Sequence, residues 1–372
     1  MQWPGRLARC ACVRWLALVL VPVVAHAAPV AEGYELDDNH GTLVVTRGKR
    51  HAELEHRIGT FLVRELVVDK AARRVTVPVD ENCHARESVT YSLDQLEARL
   101  VNTEALAVHR KRDWAAAAKG FAAAVKLDAT WRLPAYNLAS ALAEQKDLTG
   151  AVAAVAPWLA SEPIATYLQV AQDPELQPLL ATPELAALRA PKPGTMKVAA
   201  GRVVGTFGFA PARGLVAAET TTGDGMSCGR YTAVTWFDAK TGAQLGSLAL
   251  SHTDGCEAPG KPIAAAPHRS EVVERILDDL GFVATPFEYA DAHDNDTGTR
   301  VVRLPKSALG VVVDGGGTIQ ILRKDRALAK GHAGEDRLGF AAYLADVKLA
   351  VVGTRRESDE CPADALDALP VP

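Results

Sequence analysis

The sequence predicts an α+β protein in which a short antiparallel helical repeat module precedes a β-rich C-terminal domain. Within residues 98–190, alanines and larger apolar residues recur at helical spacing, and the segment 112–125 aligns with the segment 146–159 at an offset of 34 residues. Beyond Gly194, short runs of β-branched and aromatic residues alternate with glycine-containing turns, a pattern typical of antiparallel strands. The chain of 372 residues is long enough for two or three domains.

Residues 1–27 have the pattern of a secretory signal peptide. Three arginines precede an apolar core at 15–24, and Ala25-His26-Ala27 fits the small-x-small cleavage rule. We therefore expect export to the periplasm or the medium, with cleavage after Ala27. No later apolar run reaches the roughly 20 residues that a membrane-spanning helix needs. The sequence thus predicts a mature protein that does not span the membrane.

Residues 28–97 predict a small mixed α/β unit. Runs rich in β-branched residues at 42–46, 61–69 and 73–80 favour three strands. The segment 49–58, which lies between the first two runs, predicts a helix.

Residues 98–190 predict helical hairpins followed by two short capping helices. Apolar residues recur at helical spacing within 136–145, and alanine-rich faces allow helices to approach closely. An Asp-Pro pair at 173–174 and a Thr-Pro pair at 182–183 each indicate the start of a short helix. We expect these two helices to cover the end of the hairpins.

The helical segment resembles the tetratricopeptide family over residues 98–165, because the 34-residue offset equals the period of that family. In the family, small residues stand where the two helices of a repeat cross, and a large apolar residue follows. The residues that carry the resemblance are Ala105, Ala117, Phe121, Ala139, Ala151 and Val155. Pro157 stands where the family has a small residue, which predicts that its helix ends or kinks near Ala156.

The resemblance implies a concave groove that binds a protein or peptide. The residues at family positions that face this groove are Arg99, Asn102, His109, Tyr136 and Ser140. His109 also opens the basic run 109–112, which we interpret as cations near a helix C-terminus, where the helix dipole favours them. The alternative is that this run contacts an anion or carboxylate near the groove.

Residues 191–372 predict the β-rich domain, with one helix. The segments 230–238 and 243–251 favour a hairpin around the turn 239–242. The segment 269–282 predicts an amphipathic helix, with Ser270 as its N-cap and Gly281 just past its end. We expect these strands to form a sandwich or an open sheet.

Four cysteines remain after removal of the signal peptide, and an even number in an exported chain favours disulfides. Cys228 and Cys256 lie just outside the two ends of the predicted hairpin, so we expect them to form a disulfide. Cys83 and Cys361 would then pair with each other or stay free. The spacing does not fit the paired Cys-x-x-Cys pattern of a zinc ribbon.

The sequence indicates no catalytic residue, cofactor or metal site. The segment 314–317 lacks the lysine and helix of a phosphate-binding loop, so a hairpin turn explains it. The acidic segment 291–298 does not fit the EF-hand spacing, and we interpret it as a solvated loop. His51 and His56 miss the spacing of a helical zinc site. A Gly-x-Ser-x-Gly nucleophile elbow is also absent from the sequence.

These observations favour an exported, non-enzymatic protein-interaction or scaffold protein that uses the helical groove. The net charge of −4 gives no reason to expect nucleic acid as a partner. Two alternatives remain open. The chain could be a cell-envelope enzyme, for example a hydrolase, with its site in the β-rich domain. The helices could instead brace the β-rich domain and leave no groove open to a ligand.

Overall fold

The computed structural model contains seven α-helices and 23 β-strands within the part of the chain that it describes. The described residues are 27–39, 41–56, 60–80, 87–198, 204–223, 230–253, 263–264, 268–294, 300–314, 318–324, 326–332, 337–355 and 364–372. The chain is α+β, and its C-terminal region consists mainly of antiparallel sheets, so this part of the predicted fold class is confirmed.

The chain divides into two compact units that interleave along the sequence. The N-terminal unit comprises residues 1–162 and 173–182, and the C-terminal unit comprises residues 163–172 and 183–372. The polypeptide therefore passes between the two units three times.

Eight strands form two antiparallel sheets in the N-terminal unit. The strands are β1 (Ala28–Pro29), β2 (Tyr34–Asn39), β3 (Thr42–Arg47), β4 (Arg50–His56), β5 (Thr60–Phe61), β6 (Val67–Asp69), β7 (Arg74–Asp80) and β8 (Glu87–Ser92). The first sheet has the order β1-β2-β3-β4, and in the second sheet β7 pairs with β5, β6 and β8. Apolar residues of both sheets share one core, because alternate side chains of each strand point to it.

Two of the local predictions in this unit are wrong. The segment 49–58 contains strand β4 and not a helix, since Ala52 pairs with Val45 across a tight turn and lies in the core. Pairing and burial outweigh helix propensity here. The segment 61–69 is not one strand, because a 3-10 turn at Val63–Glu65 separates β5 from β6.

Four consecutive helices complete the N-terminal unit, together with a 3-10 helix at Gln177–Ala181. The α-helices are α1 (Leu93–His109), α2 (Trp114–Leu127), α3 (Arg132–Glu144) and α4 (Leu148–Ser161). A capping box starts α1, in which the Ser92 side chain accepts a hydrogen bond from the Gln95 amide. Asp113 and Asp147 cap α2 and α4 in the same way.

A repeat module, the other part of the predicted fold class, is not shown by these helices. They share one compact unit with the two sheets, and α1 buries Leu96 and Leu100 in the core of those sheets. The predicted end of the helix near Ala156 is also wrong. The helix α4 continues through Pro157 to Ser161, so it tolerates the backbone hydrogen bond that this proline cannot donate.

The C-terminal unit contains fifteen described strands and three helices. The helices are α5 (Pro163–Gln172), α6 (Pro183–Ala186) and α7 (His268–Leu280). The strands are β9 (Val204–Ala210), β10 (Leu215–Gly223), β11 (Arg230–Asp238), β12 (Gln244–Thr253), β13 (Ile263–Ala264), β14 (Val283–Ala284), β15 (Glu288–Asp291), β16 (His293–Asp294), β17 (Arg300–Leu304), β18 (Leu309–Val313), β19 (Thr318–Arg323), β20 (Arg326–His332), β21 (Arg337–Leu344), β22 (Leu349–Arg355) and β23 (Asp364–Pro370).

These strands form three antiparallel sheets that pack as layers. The orders are β13-β12-β11-β10-β9-β14, β15-β21-β22-β23 and β16-β17-β18-β19-β20. The second sheet is the middle layer, because alternate residues of β21 belong to different cores. Ala342 and Leu344 pack with Phe207 of the first sheet, whereas Ala341 and Tyr343 pack with residues of the third. The middle strands are therefore apolar on both faces.

Two predicted elements of this unit are confirmed. The strands β11 and β12 form the predicted hairpin, with Thr232 paired to Ser251 and Val234 to Leu248. The predicted helix is α7, and Gly281 follows its end with a positive φ of 75°. Ser270 lies inside this helix and is not its N-cap.

All four cysteines lie outside the described residues, so the disulfide stays a prediction. Arg230 pairs with Thr253 at the open end of the hairpin, which leaves Cys228 and Cys256 a few residues beyond the paired ends. We expect non-reducing peptide mapping to recover these two cysteines in one linked peptide pair. Recovery of Cys228 linked to Cys83 or to Cys361 would contradict this pairing.

Candidate functional site

The five predicted groove residues lie on α1 and α3 of the N-terminal unit. Arg99, Asn102 and His109 share a face of α1, while Tyr136 and Ser140 are four residues apart on α3. All five are largely buried. The exposed fraction is 2% for Asn102, 4% for Ser140 and 8% for His109 and Tyr136, and it is 12% for the side chain of Arg99.

The middle of this face holds a buried amide pair. The side-chain nitrogen of Asn137 donates a hydrogen bond of 3.0 Å to the side-chain oxygen of Asn102. This bond joins α1 to α3 and satisfies two polar groups that would be costly to bury unpaired.

His109, Ser140 and Glu175 form a hydrogen-bonded cluster at the C-terminal end of α1. The Ser140 hydroxyl donates a hydrogen bond to the Glu175 carboxylate, and its oxygen lies 3.2 Å from Nε2 of His109. Glu175 lies 3.6 Å from the same nitrogen. The rings of Trp114 and Phe121 meet the imidazole edge to face, with centroids 4.6 Å and 5.9 Å away. The cluster thus ties the segment Asp173–Thr182 to α1 and α3.

The orientation of these groups does not match a nucleophile and its general base. A serine nucleophile gives its proton to the histidine, while a carboxylate holds the other ring nitrogen. Here Ser140 has a single hydroxyl proton, and Glu175 accepts it. The contact between Ser140 and Nε2 therefore requires His109 to be the donor. Ser140 and Glu175 both approach Nε2 of His109, so the carboxylate does not hold the other ring nitrogen. The cluster therefore orders the chain and does not activate Ser140.

Burial shifts the pKa values of His109 and of the neighbouring Asp173. Burial lowers the pKa of the His109 imidazole below its ordinary value of 6.5, although the nearby Glu175 opposes that shift. Burial also raises the pKa of the Asp173 carboxyl, although a hydrogen bond from the backbone amide of Glu175 opposes that shift. The folded N-terminal unit therefore favours a neutral imidazole at position 109.

A second arrangement on these helices was not predicted from the sequence. The guanidinium of Arg99 lies 3.5 Å from the ring centroid of Trp131 and donates a hydrogen bond of 3.1 Å to Asp128. The guanidinium of Arg132, the next residue, lies 5.0 Å from the ring centroid of Trp158. We call Arg99, Trp131, Arg132 and Trp158 the arginine–tryptophan ladder.

The ladder reaches the surface. Both tryptophans are half-buried, and the Arg132 side chain is 45% exposed where it donates a hydrogen bond of 2.7 Å to Glu162. The sequence signal for the ladder is the adjacent pair Trp131-Arg132 at the start of α3. The partners Arg99 and Trp158 cannot be inferred from that pair, because they come from other helices.

The other chemical candidates give no site in the described part of the chain. Among the described residues, no group of three or more His, Cys, Asp or Glu side chains is placed to hold a metal ion. The acidic segment 291–298 and the glycines 315–317 lie wholly or partly outside those residues. The strands β18 and β19 pair on either side of 314–317, as a hairpin turn requires. None of the described helices is both long and apolar enough to cross a membrane.

Comparison with known proteins gives no relative. No family model matches the chain, and neither a curated protein nor a solved structure matches it. The assignment of residues 98–165 to the tetratricopeptide family is therefore wrong. The 34-residue offset has a local cause. Two helical hairpins of similar length use the same turn, in which Arg112 and Lys146 have positive φ angles of 65° and 67° and the next residue is a capping aspartate.

Proposed function

We propose that this chain is an exported, non-enzymatic interaction protein that binds a protein or peptide partner at the arginine–tryptophan ladder. The observation that carries the proposal is the pair of half-buried tryptophan rings, each held against a guanidinium, one just before α3 and one on α4. Tryptophan and arginine are the residue types most enriched among those that dominate binding energy at protein interfaces.

The anchoring of the ladder supports this proposal. Arg99 is fixed by Asp128 and Arg132 by Glu162, so both side chains are ordered before a partner arrives. An ordered surface loses less side-chain entropy when it binds, which leaves more of the contact energy for affinity. The exposed guanidinium of Arg132 can also donate hydrogen bonds to a carboxylate or a backbone carbonyl of a partner.

A capture experiment with matched variants tests the proposal. The double variant Arg132→Ala/Trp158→Ala removes the exposed end of the ladder. We expect it to weaken partner capture at least tenfold, or about 1.4 kcal/mol, with little change in melting temperature. The measurement is quantitative mass spectrometry of proteins retained by the tagged full-length chain from a native envelope extract, followed by titration of the purified partner.

The control is Arg64→Ala/Val67→Ala, which also removes one exposed cation and one exposed apolar side chain from the N-terminal unit. This control should retain the wild-type partners. Equal capture by the ladder variant and the control would refute the ladder as a binding surface. Covalent labelling of Ser140 by a fluorophosphonate would contradict the non-enzymatic assignment, because such labelling requires an activated hydroxyl.

A further inference from the structure

We propose that His109, Ser140 and Glu175 form a pH-sensitive latch, which holds the segment Asp173–Thr182 on α1 and α3 at neutral pH and loosens it on acidification. This inference does not depend on the proposed binding function, because the latch and the ladder share no residue.

The latch joins segments that are distant in the sequence. Glu175 is 35 residues from Ser140, and Ser140 is 31 residues from His109. The rest of the held segment is anchored by Leu176, Leu179 and Leu180, which are buried. Glu175 links the segment to both helices, because it accepts the hydrogen bond of Ser140 on α3 and lies 3.6 Å from Nε2 of His109 on α1.

Protonation of His109 changes this link. The neutral imidazole donates from Nε2 to Ser140, so an added proton goes to the other ring nitrogen and creates a charge in a buried site. Glu175, Asp173 and Glu144 attract that charge, from the held segment and from α3. Burial between the Trp114 and Phe121 rings opposes it and is the largest single cause of the lowered pKa of His109. Opening the latch exposes the imidazolium to water and removes this cost.

The direction of the pH dependence follows from that balance. Because folding lowers the pKa of His109, the folded protein binds this proton less strongly than the open form does. The contribution of His109 to latch stability is therefore complete above the ordinary value of 6.5, and it is lost as the pH falls from that value through the lower pKa of the folded form. Asp173 contributes with the opposite sign, since its pKa is raised. A variant at His109 alone separates the two contributions.

Hydrogen exchange of the full-length protein tests the latch. The amides of Leu176, Leu179 and Thr182 donate backbone hydrogen bonds within the held segment, so they report its opening. We expect their protection factors, corrected for intrinsic rates, to fall several-fold between about pH 7.5 and about pH 5.5. His109→Gln keeps a side-chain donor but cannot titrate, so its protection should not show this fall.

The control is His51→Gln, which changes an exposed histidine on β4 and should respond like the wild type. Equal protection of the wild type at both pH values would overturn the proposal, as would an undiminished fall in His109→Gln. If His109→Gln does not fold, NMR titration of the wild-type imidazoles tests the latch instead. The His109 imidazole should titrate below its ordinary value of 6.5, and titration at or above that value would overturn the latch.

Discussion

Replacing Asp128 by alanine is expected to lower the free energy of unfolding by about 3–5 kcal/mol, because it leaves the Arg99 guanidinium buried without its carboxylate. The two side chains are 4% and 12% exposed and lie 3.1 Å apart. Burial lowers the pKa of Arg99, although Asp128 opposes that shift, so the carboxylate offsets part of the cost of burying this charge. Chemical denaturation followed by the fluorescence of the tryptophans measures the effect.

A cap variant is the control for this change. Asp113→Ala also removes a carboxylate from the end of a helix on the same unit, but this carboxylate is exposed and accepts only the Ala116 amide. We expect Asp113→Ala to cost about 1 kcal/mol. Replacing both partners, as in Arg99→Met/Asp128→Leu, should recover most of the loss, since no buried charge then remains. A loss for Asp128→Ala no larger than that for Asp113→Ala would contradict the buried pair.

The substitution Gly242→Ala is expected to cost about 3–4 kcal/mol in the C-terminal unit, from strain and a clash together. Gly242 has a φ of 75° in the turn between β11 and β12, where an L-residue is strained. A Cβ at this position would overlap the backbone oxygen of Ala368 on β23. Because backbone atoms cannot move aside alone, the turn or β23 must shift. Thermal unfolding of the full-length protein measures the loss.

Gly214→Ala separates the two causes of that loss. Gly214 also has a positive φ, of 63°, but a Cβ there meets no atom within 4 Å. We expect this variant to cost about 1 kcal/mol, from backbone strain alone. The difference between the two variants then measures the contact of the hairpin turn with β23. Equal losses would show that this contact contributes nothing.

The features that depend on residues close together in the sequence were predictable. The helical segments, the hairpin of β11 and β12 and the end of α7 at Gly281 follow from spacing, turn residues and caps. The same is true of the common helix face shared by Arg99 and Asn102, since it follows from helical spacing.

The features that depend on contacts between residues far apart in the sequence were not predictable. The strand β4 forms because β3 is available to pair with it, and helix propensity cannot report that. The predicted groove residues are buried rather than open. Glu175, which accepts a hydrogen bond from one of them, lies beyond α5 in the sequence. The ladder likewise needs Arg99 and Trp131, which are 32 residues apart, to meet across two helices.

The interleaving of the two units has a consequence for the order in which they mature. The chain emerges from the ribosome N-terminus first, and α4 is complete at Ser161, yet Glu175 follows only after all of α5. The N-terminal unit therefore cannot close its His109 cluster until a helix of the other unit has already been synthesised. Tyr167 and Leu168 of that helix are buried in the finished protein. The Tyr167 hydroxyl must wait for more than a hundred further residues, because it donates its hydrogen bond to Asp279. A chain arrested between Gln172 and Asp279 would present a complete α5 whose apolar face lacks part of its packing.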